Sequence, residues 1–540
     1  MIFDECVTFS STKRRTGAVL PRRKGSWSNS RVAVRPLIQE ITTAHTPESL
    51  VECLRGLSRR SEAKTDERGV VLLRTSSFDS PQARYSFVAA RPFLTFRSFG
   101  SRCEITRHSS PVTRHIQFGN PWQILDALLA RCELLDEIDL PFPLGGCFGY
   151  WGYDLKNFVE PKLPRRAVND LELPDCHAGF YDSLVVFDHH FGKAFVVSTG
   201  LAADGSRSEK RAGEQMEFWR AKLGRDDFHV VPNSSVTFNG DAVERVPTQS
   251  NIVSNLARAD FLSAVERAQR YIRAGDIYQV NLSQRLAARC DLSGWELFQR
   301  LGAVSPAPFS AFLDCGDHQV ASSSPELFLR LSGSHIQTRP IKGTRPRDAD
   351  LTRDAQLAYE LQTSAKELAE LVMITDLLRN DLGKVCEYGS VQTPDLARLE
   401  RFAQVQHLVS TVEGRLRKEV THLAALAACF PGGSITGAPK FRAMEIIDEL
   451  EPLARGPYTG ALGYLGFNRE SQLSIIIRAA ICRGRTAYFH VGAGIVADSN
   501  AEAEYEETLA KAAGFLAALE VAERRMEISP AQRAGSIVPK

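Results

Sequence analysis

Hydrophobic and polar positions along the chain follow two periods, one near 3.6 residues and one of two residues. Apolar residues on the helical period predict helices over 46–57, where Thr46 is the expected cap, and over 119–135, 203–228 and 260–275, where Asp260 is the expected cap. Short apolar or alternating runs predict strands over 69–76 and 84–98, and a hairpin over 183–199. The pattern therefore predicts a structure of mixed strands and helices.

A polar stretch without sustained periodicity, residues 229–255, is the predicted linker between two long parts of the chain. Residues 46–228 form the first part, and residues 256–521, in which strands and long helices alternate irregularly, form the second. The first 45 residues are basic and rich in serine, a composition shared by transit peptides, and we expect a disordered extension there. Residues 522–540 are polar and predict a flexible tail.

Composition and charge exclude several classes of protein. The 540 residues are 43% hydrophobic and 24% charged, as in ordinary globular proteins, and the net charge of +2 gives no field for nucleic acid. No apolar run is long enough for a membrane helix, and no apolar segment of a secretory signal follows the basic residues. Eleven cysteines without a C-x-x-C pair indicate neither zinc nor a disulfide framework, so a cytoplasmic location is expected.

Two predicted helices carry the same spacing of acidic residues. KELAEL contains Glu367 and Glu370, and EAEYEE contains Glu504 and Glu507, so each pair lies at i and i+3 on one helix face. Either face alone is typical of a solvated surface. If the two faces meet, four carboxylates converge and require a counter-charge, for which Mg²⁺ is the best fit because it also accepts water and anionic substrates as ligands.

Two glycine-rich segments have backbone groups that can approach a ligand. FPGGSITGAPKFRAMEIIDEL (430–450) predicts a turn that leads into a helix, but Ala-Pro-Lys replaces the Lys-Ser/Thr of a P-loop. GAGIVA (492–497) matches a dinucleotide-binding pattern, yet acidic residues follow where a pyrophosphate would lie. We expect a tight glycine turn near a small ligand there.

Isolated polar residues in apolar segments are candidates for binding. Arg478 lies in SIIIRAA (474–480), a predicted strand, and requires a partner that is either a substrate carboxylate or an internal acid. His407, among valines in a predicted strand, is more often a satisfied core histidine. Lys511 follows Glu507 by four residues and fits a surface ion pair. Lys342, between Ile341 and Gly343, is either an ordinary surface charge or an amine at the end of a strand that enters a closed interior.

Many long segments of the second part resemble the chorismate-utilising enzymes, which include the anthranilate, aminodeoxychorismate, isochorismate and salicylate synthases. The segments are DIYQVNLSQR (276–285), SSPELFLR (323–330), TRPIKGTRPR (338–347), AKELAELVMITDLLRNDLGKV (365–385), QHLVSTVEG (406–414), PGGSITGAPKFRAMEIIDELEP (431–452), YTGALGY (458–464) and GAGIVADSNAEAEYEETLAKA (492–512). In the first part, ARYSFVAARP (83–92) and GGCFGYWGYDL (145–155) are similar to the two aminating synthases. The resemblance implies an α/β (α+β) fold with a large antiparallel β-sandwich core and helices packed outside.

The resemblance also implies roles for single residues. Glu326 matches the general acid, Glu370 and Glu507 the direct Mg²⁺ ligands, and Glu367 and Glu504 the acids that support metal-bound waters. His407 would lie near the substrate ring as a catalytic residue. The implied substrate-binding residues are Thr344, Ser434, Tyr458, Arg478, Gly492, Gly494, Lys511 and Gln279.

Two positions distinguish the family members. Water-adding members have a basic lysine where this chain has Gln279, which cannot deprotonate water. The segment PIKGT resembles the aminodeoxychorismate-forming members, in which the residue at Lys342 is a covalent nucleophile, whereas anthranilate synthases have PIAGT. The resemblance thus implies Mg²⁺-dependent synthesis of 4-amino-4-deoxychorismate, toward 4-aminobenzoate and folate.

Three further expectations follow. No glutaminase motif occurs, so ammonia is expected from a separate glutamine amidotransferase subunit. The alternative activity is that of anthranilate synthase component I, in tryptophan biosynthesis, although Arg74 replaces an acid of the family's tryptophan site. An alternative of another class is a non-catalytic regulatory or partner subunit, which the presence of all four metal-site glutamates disfavours.

Overall fold

The computed structural model describes residues 34–57, 67–75, 84–134, 140–224, 252–401, 405–519 and 529–530. Most of the predicted extension, linker and tail lies outside these residues. The described residues from Arg35 onward form one compact unit. None of the helices in this part of the chain is long and apolar enough to cross a membrane.

The described residues form eleven α-helices. They are α1 (Pro47–Leu54), α2 (Pro121–Leu129), α3 (Lys156–Val159), α4 (Glu209–Leu223), α5 (Arg258–Arg273), α6 (Gly294–Val304), α7 (Leu351–Thr363), α8 (Ala365–Gly383), α9 (His422–Cys429), α10 (Lys440–Leu450) and α11 (Ala501–Ala518). Thr46 caps α1 as expected, because its side chain accepts a hydrogen bond from the backbone of Ser49. The cap predicted at Asp260 is wrong: Ala257 precedes α5, and Asp260 lies in the first turn, where its charge complements the helix dipole.

The strands in the described part of the chain number 25. They are β1 (Leu37–Ile41), β2 (Val71–Arg74), β3 (Tyr85–Ala89), β4 (Leu94–Phe99), β5 (Arg102–Arg107), β6 (Thr113–Phe118), β7 (Gly146–Trp151), β8 (Cys176–Tyr181), β9 (Ser183–Asp188), β10 (Lys193–Ser198), β11 (Ile252–Ser254), β12 (Gln279–Arg289), β13 (Phe309–Asp314), β14 (Gln319–Ser324), β15 (Leu327–Ser332), β16 (His335–Arg339), β17 (Ile341–Pro346), β18 (Gln392–Arg401), β19 (Val405–Arg415), β20 (Gly437–Ala438), β21 (Ala461–Gly466), β22 (Glu470–Ile475), β23 (Ala479–Arg483), β24 (Thr486–Ile495) and β25 (Ser529–Pro530).

Two large sheets contain all of these strands. The first has the order β1-β10-β9-β3-β2-β13-β14-β23-β24-β12-β11-β25, with β20 also on β12. The second has the order β17-β19-β16-β15-β22-β21-β7-β8-β4-β5-β6, with β18 also on β19. All pairings are antiparallel except that of β11 with β25. The predicted antiparallel sandwich with outer helices is confirmed.

The main core lies between the sheets and is rich in aromatic side chains. Phe87 of the first sheet and Phe148 of the second both contact Tyr464, with ring centroids 5.1 and 5.4 Å apart. A second core lies between the first sheet and its outer helices, where Trp219, Trp295 and Phe515 are buried. Burial of these large side chains is the main source of stability for both layers.

Strands from both sides of the predicted linker share both sheets. In the first sheet β2 pairs with β13, and in the second sheet β7 pairs with β21. In β7, a Cβ on Gly149 would lie 2.0 Å from the carbonyl oxygen of His177, which explains the glycine that the sequence placed beside a strand. Strand β1 lies within the range predicted as an extension, so the sheet begins before residue 45.

Candidate functional site

A cavity of about 490 Å³ contains most of the sequence-predicted site residues. Strands β12 and β24 of the first sheet, β17 of the second sheet, and helices α8 and α11 all contribute to its wall. The predicted residues that line it are Glu326, Lys342, Thr344, Glu367, Glu370, His407, Ser434, Tyr458, Arg478, Gly492, Gly494, Glu504, Glu507 and Lys511. Residues spread over 186 positions of sequence therefore meet in one place.

Gln279 is the one predicted site residue outside the cavity wall. It is fully buried, and neither polar atom of its side chain has a hydrogen-bond partner among the described residues. Its amide nitrogen faces Gly494, where a Cβ would lie only 2.5 Å away. Gln279 thus lies behind the cavity wall. A side chain larger than that of glycine at position 494 would displace Gln279.

Lys342 lies on β17 at a bulge. Lys342 pairs with Leu408 and Thr344 with His407, so Gly343 is an extra residue on its strand. Gly343 has φ of 69°, and a Cβ there would lie 2.6 Å from Leu361. The side chain of Lys342 is only 17% exposed, and its Nζ lies 3.8 Å from Oε2 of Glu370. The bend in the strand therefore places this amine in the cavity, enclosed by protein.

Glu326 immediately precedes β15 and is 7% exposed. Ser434 Oγ donates a hydrogen bond to Glu326 Oε1 at 2.5 Å. Burial raises the pKa of Glu326, and this effect outweighs the hydrogen bond from Ser434 and the charge of Lys342, both of which lower it. The arrangement favours a protonated carboxyl group that can donate a proton into the cavity.

The two acidic helices face the same cavity, as the sequence required for a metal site. Glu367 and Glu370 come from α8, and Glu504 and Glu507 from α11. Burial raises the pKa of Glu504, and the charge of Glu507 raises it further. Across the described residues, however, no three acidic, histidine or cysteine side chains form a ready-made metal cluster. The oxygen donors fit Mg²⁺ that keeps waters and takes substrate oxygens as ligands.

Arg478 does not lie in a strand, so the strand predicted over 474–480 is wrong at its centre. Strand β22 ends at Ile475, β23 begins at Ala479, and Arg478 has φ of 50° in the turn between them. Its guanidinium forms no ion pair with any described acid. Left-handed backbone is costly for a residue with a side chain and is concentrated at functional sites. The sequence left two possible partners for the guanidinium of Arg478, an internal acid or a substrate carboxylate. No internal acid pairs with it among the described residues.

The glycines of GAGIVA lie in a strand, and the predicted tight turn is wrong. Strand β24 runs to Ile495, with Gly494 opposite Asn281 on β12. A Cβ on Gly492 would lie 2.7 Å from the carbonyl oxygen of Leu282 and 3.1 Å from Tyr458 Oη. The glycine therefore allows the phenol of Tyr458 to approach the strand. Lys511 donates a hydrogen bond to the carbonyl of Gly492 at 2.8 Å.

Two histidines in the wall are uncharged. Burial lowers the pKa of His407 to about 4, and its Nδ1 lies 2.9 Å from Thr344 Oγ1. Burial also lowers the pKa of His490 well below its usual range, and its ring stacks on Tyr458 with centroids 4.8 Å apart. Both imidazoles are thus neutral hydrogen-bonding groups at physiological pH.

Sequence reasoning missed several cavity residues: Lys366, Asn281, Arg455, Thr459 and His490. Arg455 had a visible signal, because Glu451 precedes it by four residues in the apolar context of ELEPLARG. Asn281 lies on β12 and His490 on β24. Only the pairing of these two strands shows that both residues line the cavity.

Comparisons with known proteins agree on one family. Residues 76–517 match the chorismate binding enzymes. The chain is 37% identical over 442 residues to an anthranilate synthase component 1 of Acetivibrio thermocellus (82% of this chain, 88% of that one), and 38% identical over 452 residues to an aminodeoxychorismate synthase component 1 of Escherichia coli K12 (83% and 93%).

Solved structures show the same architecture. Anthranilate synthase component I from Streptococcus pneumoniae TIGR4 superposes with a TM-score of 0.65 at 31% identity, covering 81% of this chain and 93% of that one. MenF, the menaquinone-specific isochorismate synthase of Escherichia coli, superposes with a TM-score of 0.63 at 17% identity, over 90% and 94% of the chains, and supports the fold alone. With this match over most of its length, the chain belongs to the chorismate-binding enzymes.

Proposed function

We propose that the protein aminates chorismate at C4 to form 4-amino-4-deoxychorismate, with ammonia from a separate glutamine amidotransferase subunit. The observation that carries the proposal is the position of Lys342, whose enclosed amine lines the same cavity as Glu326 and Arg478. A lysine nucleophile explains why nitrogen enters at C4, because two successive substitutions replace one. The product is a precursor of 4-aminobenzoate in folate synthesis.

The chemistry assigns each group a task. The amine of Lys342 attacks C2 of chorismate, both ring double bonds shift, and the C4 hydroxyl leaves as water with a proton from Glu326. Ammonia then attacks C4, both double bonds shift back, and the C2–nitrogen bond to Lys342 breaks. The ionised Glu326 accepts a proton from the new C4 ammonium group and is ready for the next cycle. The buried, raised-pKa carboxyl of Glu326 supports its role as the acid.

The unpaired guanidinium of Arg478 and the phenol of Tyr458 fit one substrate carboxylate. His407 and Thr344 form a neutral pair beside the ring, and Lys511 and the Gly492–Gly494 backbone complete the wall. Gln279 supports this wall from behind.

For Mg²⁺, Glu370 and Glu507 are the proposed direct ligands, while Glu367 and Glu504 would hold its waters. When bound, the ion would neutralise the crowded carboxylates, including the one that Lys342 faces, and bind the other end of the substrate. Removal of the ion with a chelator is expected to abolish turnover, and Glu507→Gln is expected to raise the Mg²⁺ concentration needed for half-maximal rate. A chelator without effect would contradict this assignment.

A cytoplasmic location is part of the proposal. The ten cysteines among the described residues are all free thiols, and eight of them are buried. Such usage is typical of proteins kept in a reducing compartment.

Anthranilate synthesis is the second candidate, because relatives with that name are as similar to the chain as those that form aminodeoxychorismate. The two activities differ in the position of the new nitrogen. Incubation of the purified protein with chorismate, Mg²⁺ and a high concentration of ammonium, followed by mass spectrometry and NMR, distinguishes them. Anthranilate as the product would refute the proposed function.

The role of Lys342 is tested by Lys342→Ala, with the exposed Lys418→Ala as a control. We expect the first variant to lose C4 amination and the second to retain it. A Lys342→Ala protein that forms the C4 product at the wild-type rate would exclude covalent catalysis by this residue.

A further inference from the structure

A buried ion pair, one member of which lines the cavity, is not used by the proposed chemistry. Glu451 directly follows α10, and Arg455 is four residues later; their side chains are 6% and 2% exposed. Nε and Nη2 of Arg455 donate to the two carboxylate oxygens of Glu451 at 2.8 and 2.7 Å. Such a bidentate contact satisfies the charge of both groups and leaves other donors of the guanidinium for further partners.

The remaining hydrogen bonds of the pair go to three segments that form the cavity. Arg455 donates to the carbonyls of Asn281, at 2.8 Å, and Ile435, at 3.2 Å, and to Thr459 Oγ1, at 3.2 Å. Glu451 accepts from the backbone and hydroxyl of Ser283, at 2.8 and 3.0 Å. The pair thus connects β12, the residue after Ser434 and the residue after Tyr458.

Of the residues that Arg455 contacts, Thr459 has the least favourable backbone conformation. Its φ is 58°, a left-handed conformation that is unfavourable for a β-branched residue. Its hydroxyl donates to the carbonyl of Tyr458 at 2.6 Å and accepts from Arg455, and its backbone N–H donates to Ile476 at 2.8 Å. Arg455 therefore stabilises the strained turn at Thr459. The residue before this turn, Tyr458, lines the cavity.

We propose that Arg455 and Glu451 are positioning residues for substrate binding: their buried pair keeps Thr459 in its left-handed turn and thereby fixes the ring of Tyr458 in the cavity wall. The inference rests on the proposed role of Tyr458 as a ligand for a chorismate carboxylate. It assigns Arg455 no contact with substrate. Its effect on binding is transmitted mainly through the backbone of Thr459, and its guanidinium also lies 5.8 Å from the ring centroid of Tyr458.

The test compares chorismate dissociation constants by calorimetry in the presence of Mg²⁺. Thr459→Val keeps the branched shape but removes the hydroxyl that Arg455 contacts, and we expect about tenfold weaker binding. Thr459→Gly also lacks the hydroxyl but adopts positive φ freely, so we expect binding within about threefold of wild type. Neither variant disturbs the buried charges themselves.

Arg455→Lys tests the pair directly. It keeps the charge but loses the planar fork, and we expect about tenfold weaker binding, most of it restored in the double variant Arg455→Lys/Thr459→Gly. Arg211→Lys is the matched control, because Arg211 pairs with the buried Asp182 outside the cavity. It should lower thermal stability without changing chorismate affinity.

Equal affinities of the valine and glycine variants would overturn the inference, as would an Arg455→Lys defect that glycine at 459 does not relieve. If Arg455→Lys does not fold, the comparison of valine with glycine still decides. Product identity is measured separately, so formation of anthranilate would refute C4 amination while these affinities still test the positioning role.

Discussion

Replacement of Arg478 should separate substrate binding from fold stability. Arg478 is exposed and forms no ion pair with a described acid, so its removal leaves no buried carboxylate without a partner, unlike the loss of an arginine from a buried ion pair. Only its backbone takes part in the structure, where its carbonyl accepts a hydrogen bond from Ser323 at 3.0 Å. We therefore expect Arg478→Ala to weaken chorismate binding and to leave the free energy of unfolding nearly unchanged.

The magnitudes follow from the contacts. Loss of charge-assisted hydrogen bonds to one carboxylate costs about 1.5–3 kcal/mol, which corresponds to roughly 10- to 150-fold in the dissociation constant. The left-handed backbone at Arg478 costs about 1–2 kcal/mol for any residue with a Cβ, whereas glycine avoids this cost but adds about 0.5–1 kcal/mol of unfolded-state entropy. Arg478→Gly should thus be as stable as wild type, or more stable by up to about 1.5 kcal/mol, with the same loss of binding.

Calorimetric titration with chorismate and urea unfolding of the three proteins measure both quantities. We expect the affinity for chorismate to fall equally in the alanine and glycine variants, while the free energy of unfolding rises from alanine to glycine. Loss of more than about 2 kcal/mol of stability in Arg478→Ala would reveal a structural partner and refute the argument. Unchanged affinity would exclude Arg478 as the carboxylate ligand.

Three other properties of the site and core are testable. Ser434→Ala should raise the pKa of Glu326 further above its ordinary value, from which burial already raises it, because the lost hydroxyl favours the ionised carboxylate. Since Glu326 acts as an acid, the alkaline limb of the pH–rate profile should move to higher pH, and a shift to lower pH would contradict this role. Gly343→Ala should destabilise the fold by about 1–3 kcal/mol in urea unfolding and reduce turnover, since the new Cβ meets Leu361 at 2.6 Å, whereas Gly389→Ala, at φ of 77° with open space around it, should cost only the backbone strain. Burial lowers the pKa of His407 and His422 to about 4, so the unfolded state binds more protons than the folded state between about pH 6.5 and 4, and the free energy of unfolding should decrease as pH falls through this window. His422→Gln should reduce the dependence of the unfolding free energy on pH, measured from pH 7 to 4. An unchanged dependence would contradict the assignment.

Much of the site was predictable because its signals are local. The i, i+3 glutamates of α8 and α11 share a face by helix geometry alone, and both faces do line the cavity. Lys342 and His407 were also expected in strands, and β17 and β19 contain them. Periodicity and spacing suffice where one element determines which way a side chain points.

Errors arose where neighbouring elements decide the conformation. SIIIRAA has the apolar character of a continuous strand, but Arg478 adopts a left-handed turn between two strands. The glycines of GAGIVA suggest a turn from the sequence alone. In the structure they lie in a strand, where a Cβ on Gly494 would collide with Gln279 and a Cβ on Gly492 would collide with Leu282. The partner of each glycine is about 200 residues away in the sequence, so no local pattern contains the information.

The interleaved sheets limit how this enzyme can be divided. Among the described residues, the whole cavity wall lies between Asn281 and Phe515, so a fragment that starts at residue 252 would retain all of these wall residues. The same fragment would strip β2 from β13 and β7 from β21, opening one long edge in each sheet and exposing the aromatic side chains packed behind them. The described residues of the first part of the chain therefore complete both sheets without contributing a side chain to the cavity wall, and a fragment that lacks this part is expected to aggregate.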